Sequence, residues 1–292
     1  MARKDLVDGT AAFRERKFAE AEELFRKAAA RDPEGKSLEG RLAQVFLART
    51  LHSEFIGNRS DKSKAEQAIT EYRKALSQDP NDQSSYKAVA SLYENLEQTE
   101  NWEKWVTDRA NNTSILPQYR ADAYVALAAK QNTCANEITD TPQTKKTVKR
   151  DGKDTYQFVK PESEEDFQKL KGCVSTGIDL IDKAVALEPA DVKSAKNADL
   201  KSLKNDELKK LLDAVKTFES VYSYKASLTI QSMRLADMEN RAEDRDRLKA
   251  EADKYREKYS ELGEISRNIE AEIQARTAEN ANAANNANAA NK

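Results

Sequence analysis

Three stretches of this chain repeat one pattern of residue sizes, and that recurrence limits the fold more than any other feature. Ala21, Phe25, Ala28 and Asp32-Pro33 form the first copy; Ala68, Tyr72, Ala75 and Asp79-Pro80 the second; Gly177, Ile181, Ala184 and Glu188-Pro189 the third. A small residue is followed by a bulky one four positions later, an alanine three after that, and an acidic-Pro stop. Four-then-three spacing keeps these residues on one helical face, and the proline ends each helix because it lacks a donor and clashes with the preceding turn. A recurrence of this kind means one supersecondary unit stacked on copies of itself.

Composition agrees. Of 292 residues 34% are charged and 38% hydrophobic, with a net charge of -2. Such a chain suits amphipathic helices in an elongated array. The mixed charge gives no whole-chain drive toward nucleic acid or an anionic membrane, so no nucleic-acid partner is expected. No run of about 18 apolar residues predicts a transmembrane helix, and Met1-Ala2-Arg3-Lys4-Asp5 opens no apolar signal segment.

The first unit places helix A at Leu6 to Arg16 and helix B at Phe18 to Arg31. Gly9, Ala21 and Ala28 let the two approach, and Leu24 and Phe25 fill the space between them. This pattern resembles the tetratricopeptide repeat, whose consensus runs through Gly9, Ala21, Phe25, Ala28 and Pro33. A third, degenerate unit keeps Tyr86, Ala90 and Tyr93 but carries Trp102 and Trp105 in helix B. The resemblance covers about residues 3–190 and implies an all-α solenoid of about four helical hairpins. Pro33 to Pro80 is 47 residues, against the usual period of about 34; the excess lies in Leu38 to Lys64. In the fourth unit helix A, about Gln118 to Asn136, is parted from helix B, about Glu164 to Leu187, by an insert at about 137–163.

Inside that insert, Asp151-Gly152 sits between residues of strand type, a strong β-hairpin signal. Lys145, Lys146, Lys149, Arg150 and Lys153 crowd it. They read either as solvation of an exposed ribbon or as a docking point for an acidic partner.

The region 191–276 reads as a long C-terminal helical hairpin packing on the array. Leu208, Leu211, Leu212, Val215, Phe218, Tyr222, Leu228, Leu235 and Met238 mark one helix, roughly 206–239. Leu248, Ala252, Tyr255, Tyr259, Leu262, Ile269 and Ile273 mark a second, roughly 242–276. Their 4–3 spacing is that of a coiled-coil seam. It packs on the preceding helix, or joins two copies of the chain into a homo-oligomer through 206–276. Residues 277–292 are almost only Ala and Asn and are expected to be a disordered tail.

No catalytic constellation stands out. The single histidine, His52, lies beside Leu51 and Phe55 as a packing or surface residue would. The glycines are scattered, and acids alternate with bases as on a solvated face. The chain reads as a non-enzyme without cofactor or metal. Cys134, near the end of helix A of the fourth unit, and Cys173, near the start of its helix B, are brought together by antiparallel packing. They would form a disulfide closing the base of the insert, worth roughly 3–4 kcal/mol on the chain-entropy account; the alternative is two buried thiols in a reducing cytosol.

The order of units, the insert and Ser223-Tyr224-Lys225-Ala226-Ser227-Leu228 before a charged terminal helix resemble bacterial extracytoplasmic tetratricopeptide proteins. That resemblance and the suspected disulfide imply a periplasmic or envelope-associated location, with a cytoplasmic one as the alternative. Family geometry puts Lys87, Ser91 and Glu94, and Arg120 and Tyr124, on a peptide-binding face. The expected function is an interaction scaffold for a protein or peptide partner. The alternative is a structural subunit of a larger extracytoplasmic assembly.

Overall fold

A computed structural model describes residues 2–150 and 152–290, with side chains up to residue 280 other than those of Ala2 and Arg150. It contains the expected antiparallel helix pairs: α1 (Ala2–Arg14) with α2 (Phe18–Ala30), α3 (Leu38–Gly57) with α4 (Lys62–Gln78), α5 (Gln83–Asn95) with α6 (Thr99–Asn111), and α7 (Pro117–Thr139) with α8 (Glu164–Val185). Strands β1 (Lys145–Arg150) and β2 (Lys153–Phe158) form the hairpin between α7 and α8. After a short α9 (Ala190–Ser194) and a 3-10 turn come α10 (Asn205–Met238) and α11 (Ala242–Ala290). Contacts divide the chain into two compact units, Met1–Asp108 and Arg109–Lys292, the break falling in the last turn of α6.

Local chemistry sets the helix limits. α2, α4 and α8 each stop shortly before Pro33, Pro80 or Pro189. Ser37 and Ser163 accept from the backbone N–H of Gly40 and Asp166, and Asp82 accepts from those of Ser84 and Ser85, capping α3, α8 and α5. Three tight turns share one device. Arg16, Glu97 and Asn240 have positive φ, and the next residue's N–H reaches back five residues, Lys17 to Ala12, Gln98 to Tyr93 and Arg241 to Ala236. That is the Schellman closure of a helix end.

In the first unit the core follows the repeat. Ala21, Phe25, Ala43, Ala48, Leu51, Ala65 and Ala68 are sealed from solvent, and Phe25 stacks on Phe46 at 5.4 Å. The degenerate third pair is held by aromatics. Trp105 stacks on Tyr86 at 5.8 Å and donates its indole N–H to the Tyr86 carbonyl, while the Arg73 guanidinium lies 5.2 Å over the Trp105 ring.

In the second unit α7, α8 and α10 share a core, and α11 lies along α10. Leu208, Leu211, Val215, Phe218 and Leu228 of α10 and Ala252, Leu262, Ile265 and Ile269 of α11 are all buried. The heptad seam is thereby closed within the chain, as the first reading of it has it; Tyr259 alone of its residues is exposed. Buried polar groups pin the packing. Lys225 reaches Asp182 of α8 at 2.5 Å, and the Tyr222 hydroxyl donates to Glu188 at 2.9 Å. Burial first, then Glu188, pushes the Tyr222 phenol well above its ordinary pKa. Arg276 donates to the carbonyls of Leu200 and Leu203 at 2.8 and 2.6 Å, tying the irregular segment before α10 to α11.

α11 continues past Arg276 to Ala290, through most of the segment expected to be disordered; Asn291 and Lys292 lie outside the described residues. Alanine, the best helix former, makes that continuation cheap once a long packed helix precedes it.

Two glycines of α8 make a matched test. A Cβ on Gly177 would meet the fully buried Leu228 at 2.6 Å and Gln131 Cβ at 3.1 Å, whereas one on Gly172 meets nothing within 4 Å. Gly172→Ala is therefore expected to stabilise by about 0.5–1 kcal/mol through helix propensity. Gly177→Ala is expected to destabilise by about 1–3 kcal/mol through overpacking. Urea midpoints of the two variants, moving in opposite directions, check this.

Candidate binding cleft and the disulfide-rooted insert

The first unit holds a cleft of about 540 Å³ between the α1–α2 turn and α3. Phe13 and Phe18 flank that turn, their rings edge to face at 5.6 Å. From α3 come Arg49, His52, Ser53 and Ile56, whose spacing of three, four and seven puts them on one helical face. Tyr72 of α4 completes the floor, its hydroxyl 3.4 Å from His52 Nδ1. Ile56 is 46% exposed on the rim, a large apolar group left open to solvent.

The electrostatics are one-sided. Arg16 and Arg49 line the cleft, and none of the described residues that line it is a carboxylate. Burial, helped by Arg59, lowers the His52 pKa and favours the neutral ring. Burial pushes the Tyr72 phenol up to about 12 and keeps its proton in place. Arg49 is preorganised: its guanidinium lies 5.6 Å from the Phe46 ring centroid and donates to Ser84 Oγ of α5 at 3.3 Å. The cleft thus offers an aromatic floor and two guanidinium groups.

A second cavity of about 500 Å³ lies on the other side of α3 and is a poorer candidate. Its carboxylate, Glu71, is buried and already accepts from Gln44 Nε2 at 2.7 Å and pairs with Lys74 at 3.0 Å. The bond from Gln44 links α3 to α4, while the Lys74 pair lies within α4.

Lys87, Ser91 and Glu94 are exposed along α5. They recur on the helical face that starts at Ser84, the residue to which Arg49 donates. Arg120 and Tyr124, in the second unit, serve a helix junction. Arg120 Nε donates to the Ala110 carbonyl at 3.0 Å, and the buried Tyr124 hydroxyl donates to Asn111 Oδ1 at 2.8 Å. The sequence singled out none of Phe13, Arg16, Phe18, Arg49, Ile56 or Tyr72 as binding residues. Ile56, apolar on a face otherwise polar at Arg49, His52 and Ser53, is the signal that points to them.

In the second unit Cys134 of α7 and Cys173 of α8 form the disulfide, with S–S 1.99 Å and Cα–Cα 6.2 Å. The bond sits in a small core of Ala135, Ile138, Phe158, Phe167, Leu170, Val174 and Met238. Phe158 thus roots the hairpin. Its N–H donates to Asp237 Oδ2 at 2.8 Å, and the Arg234 guanidinium lies 4.8 Å over its ring. Gly152 has φ +75°, as the expected turn requires; Asp151 lies outside the described residues. Lys145 pairs with Asp140 at 2.7 Å and Lys146 donates to the Pro142 carbonyl at 2.8 Å, while Lys149 and Lys153 are exposed. The Arg150 side chain is outside the described residues.

The described residues fold as a helical-repeat array of antiparallel helix pairs. Both thiols are consumed in the cystine, and the one imidazole is packed against Tyr72. Among the described residues, no group of three or more His, Cys, Asp or Glu could hold a metal, and no helix is long and apolar enough to cross a membrane.

No family model matches the sequence, and no curated protein matches it. Among solved structures the chain is similar to a tetratricopeptide repeat protein from Parabacteroides merdae, at 12% identity and a TM-score of 0.34, over 91% of this chain and 98% of that one. It is also similar to Pseudomonas aeruginosa pilF, at 14% identity and a TM-score of 0.33, over 91% and 97%.

The cystine closes a sequence separation of 39 residues, worth about 4 kcal/mol on the chain-entropy account. Replacing both Cys134 and Cys173 with Ser is expected to lower the stability of the second unit by about 2–4 kcal/mol. Denaturant unfolding followed by hydrogen exchange on α8 checks it, and the first unit's exchange is expected to stay unchanged.

Proposed function

We propose that this protein is an interaction scaffold whose first unit binds a segment of another protein in the cleft between the α1–α2 turn and α3. The observation that carries this reading is the pairing of an aromatic floor with two guanidinium groups and no carboxylate among the described lining residues. Such a site suits a segment that sets an acidic group against Arg16 and Arg49 and an apolar side chain against Phe13, Phe18 and Tyr72. Arg can hold a carboxylate with two parallel hydrogen bonds.

Magnitudes limit what the cleft does alone. One buried apolar side chain contributes about 1.5–3 kcal/mol, and one charge-assisted hydrogen bond about 1.5–3 kcal/mol. Together they reach only the millimolar to tens-of-micromolar range. A useful partner must therefore run on along α5, over Lys87, Ser91 and Glu94, which is the face the family geometry nominates.

A cystine persists in oxidising compartments and is rare in the cytosol. With the resemblance to bacterial extracytoplasmic proteins, it supports a periplasmic or envelope-associated location. A structural role in an envelope assembly is the second reading, but the seam in 206–276 that would have joined copies is occupied within the chain.

Peptides selected from a random displayed library and titrated by fluorescence anisotropy test the reading. Selected peptides are expected to carry an acidic residue near a bulky apolar one. Arg49→Ala is expected to weaken them about ten- to hundredfold, with an unchanged circular dichroism spectrum. Equal binding by wild type and Arg49→Ala rejects the cleft as the site.

A further inference from the structure

The hairpin concentrates charge that the rest of the chain lacks. Residues 141–160 hold six Lys or Arg against two Asp, a net +4 in a chain of net -2, which leaves -6 elsewhere. The ribbon is firmly founded at one end by Phe158 and the cystine core. Its sheet has only two strands, and β2, not β1, is the strand that meets α10, through Phe158 and Asp237. The Lys145 N–H donates to the Thr141 carbonyl at 2.8 Å; beyond it the outer edge of β1 has no strand partner among the described residues, which leaves the backbone groups of Thr147 and Lys149 facing outward.

Side chains along that edge alternate between faces. Lys145, Thr147 and Lys149 share one face with Tyr156, and Lys146 lies on the other. Tyr156 is 56% exposed, with the Lys145 ammonium 4.4 Å from its ring centroid. Lysines on an edge strand commonly serve only to block pairing with other strands. Here they lie on both faces and flank an exposed aromatic ring, so the same edge that repels basic or neutral strands complements an acidic one.

We propose that the open edge of β1 docks an extended acidic segment of another protein, which adds as a third strand. Backbone hydrogen bonds would supply register, and carboxylates alternating in direction would meet Lys145 and Lys149 on one face and Lys146 on the other. A short acidic strand fits better than a larger polyanion. The chain outside the insert is net negative and would oppose an extended nucleic acid or membrane surface. Stable membrane anchoring also needs a second, apolar signal, and Gly152, Lys153 and Asp154 near the turn supply none.

The test uses the oxidised full-length protein and a fluorescein-labelled peptide alternating glutamate with valine. Its lysine-for-glutamate twin and phosphatidylserine vesicles serve as competing probes. The glutamate peptide is expected to bind, to weaken as salt rises, and to slow amide exchange over residues 145–150. Lys146→Glu with Lys149→Glu is expected to weaken it at least about tenfold; Lys146→Arg with Lys149→Arg is expected to retain it. Binding without protection of β1, equal binding by the charge-reversed variant, or preference for the vesicles would overturn the proposal. Arg49→Ala is expected to leave this binding unchanged, which separates the ribbon from the α3 cleft.

Discussion

The structure depends on helices approaching closely where a small residue faces a large one. A Cβ on Gly9 would stand 2.8 Å from the Phe25 ring, and Ala21 and Ala68 at the equivalent step of α2 and α4 are sealed from solvent. At the same step of α8, Gly177 admits Leu228 of α10. Where the small residue is an alanine or glycine the helices interlock. A chain only 38% hydrophobic can be stable this way because, within each unit, helix pairs bury apolar stripes on neighbouring helices rather than in one large core.

The cleft follows from that packing and from the length of α3. Twenty residues long, α3 carries Arg49, His52, Ser53 and Ile56 in its second half, opposite the turn between α1 and α2. The turn closes through a non-glycine residue at positive φ, Arg16, which brings Phe13 and Phe18 to the same edge. The second half of α3 is thus the part that lines the cleft. In the second unit the added length went into the hairpin, and a disulfide and one buried phenylalanine hold its base.

Much of the fold was legible because its signals are local. Prolines and Ser or Asp caps mark the helix ends, four-and-three spacing marks the faces, and Asp151-Gly152 marks the turn. The cystine was legible because antiparallel packing of α7 and α8 leaves Cys134 and Cys173 at adjoining ends. The cleft was not, because its lining comes from four helices and no local pattern unites Phe13 with Ile56 and Tyr72. Lys225 and Ser266 were also hidden. Each is polar in sequence yet buried, since Lys225 meets Asp182 and Ser266 donates to Glu219 at 3.2 Å.

The cleft on α3 is the centre of the functional account, and a photo-crosslinking amino acid placed at Ser53 in the native cell tests it most directly. Mass spectrometry of the adducts should return a defined segment of another protein, with acidic and bulky apolar residues at the attachment point. The same probe at Glu23, on the exposed side of α2, should not return that segment. Adducts that are the same from both positions, or that join only copies of this chain, would contradict the account.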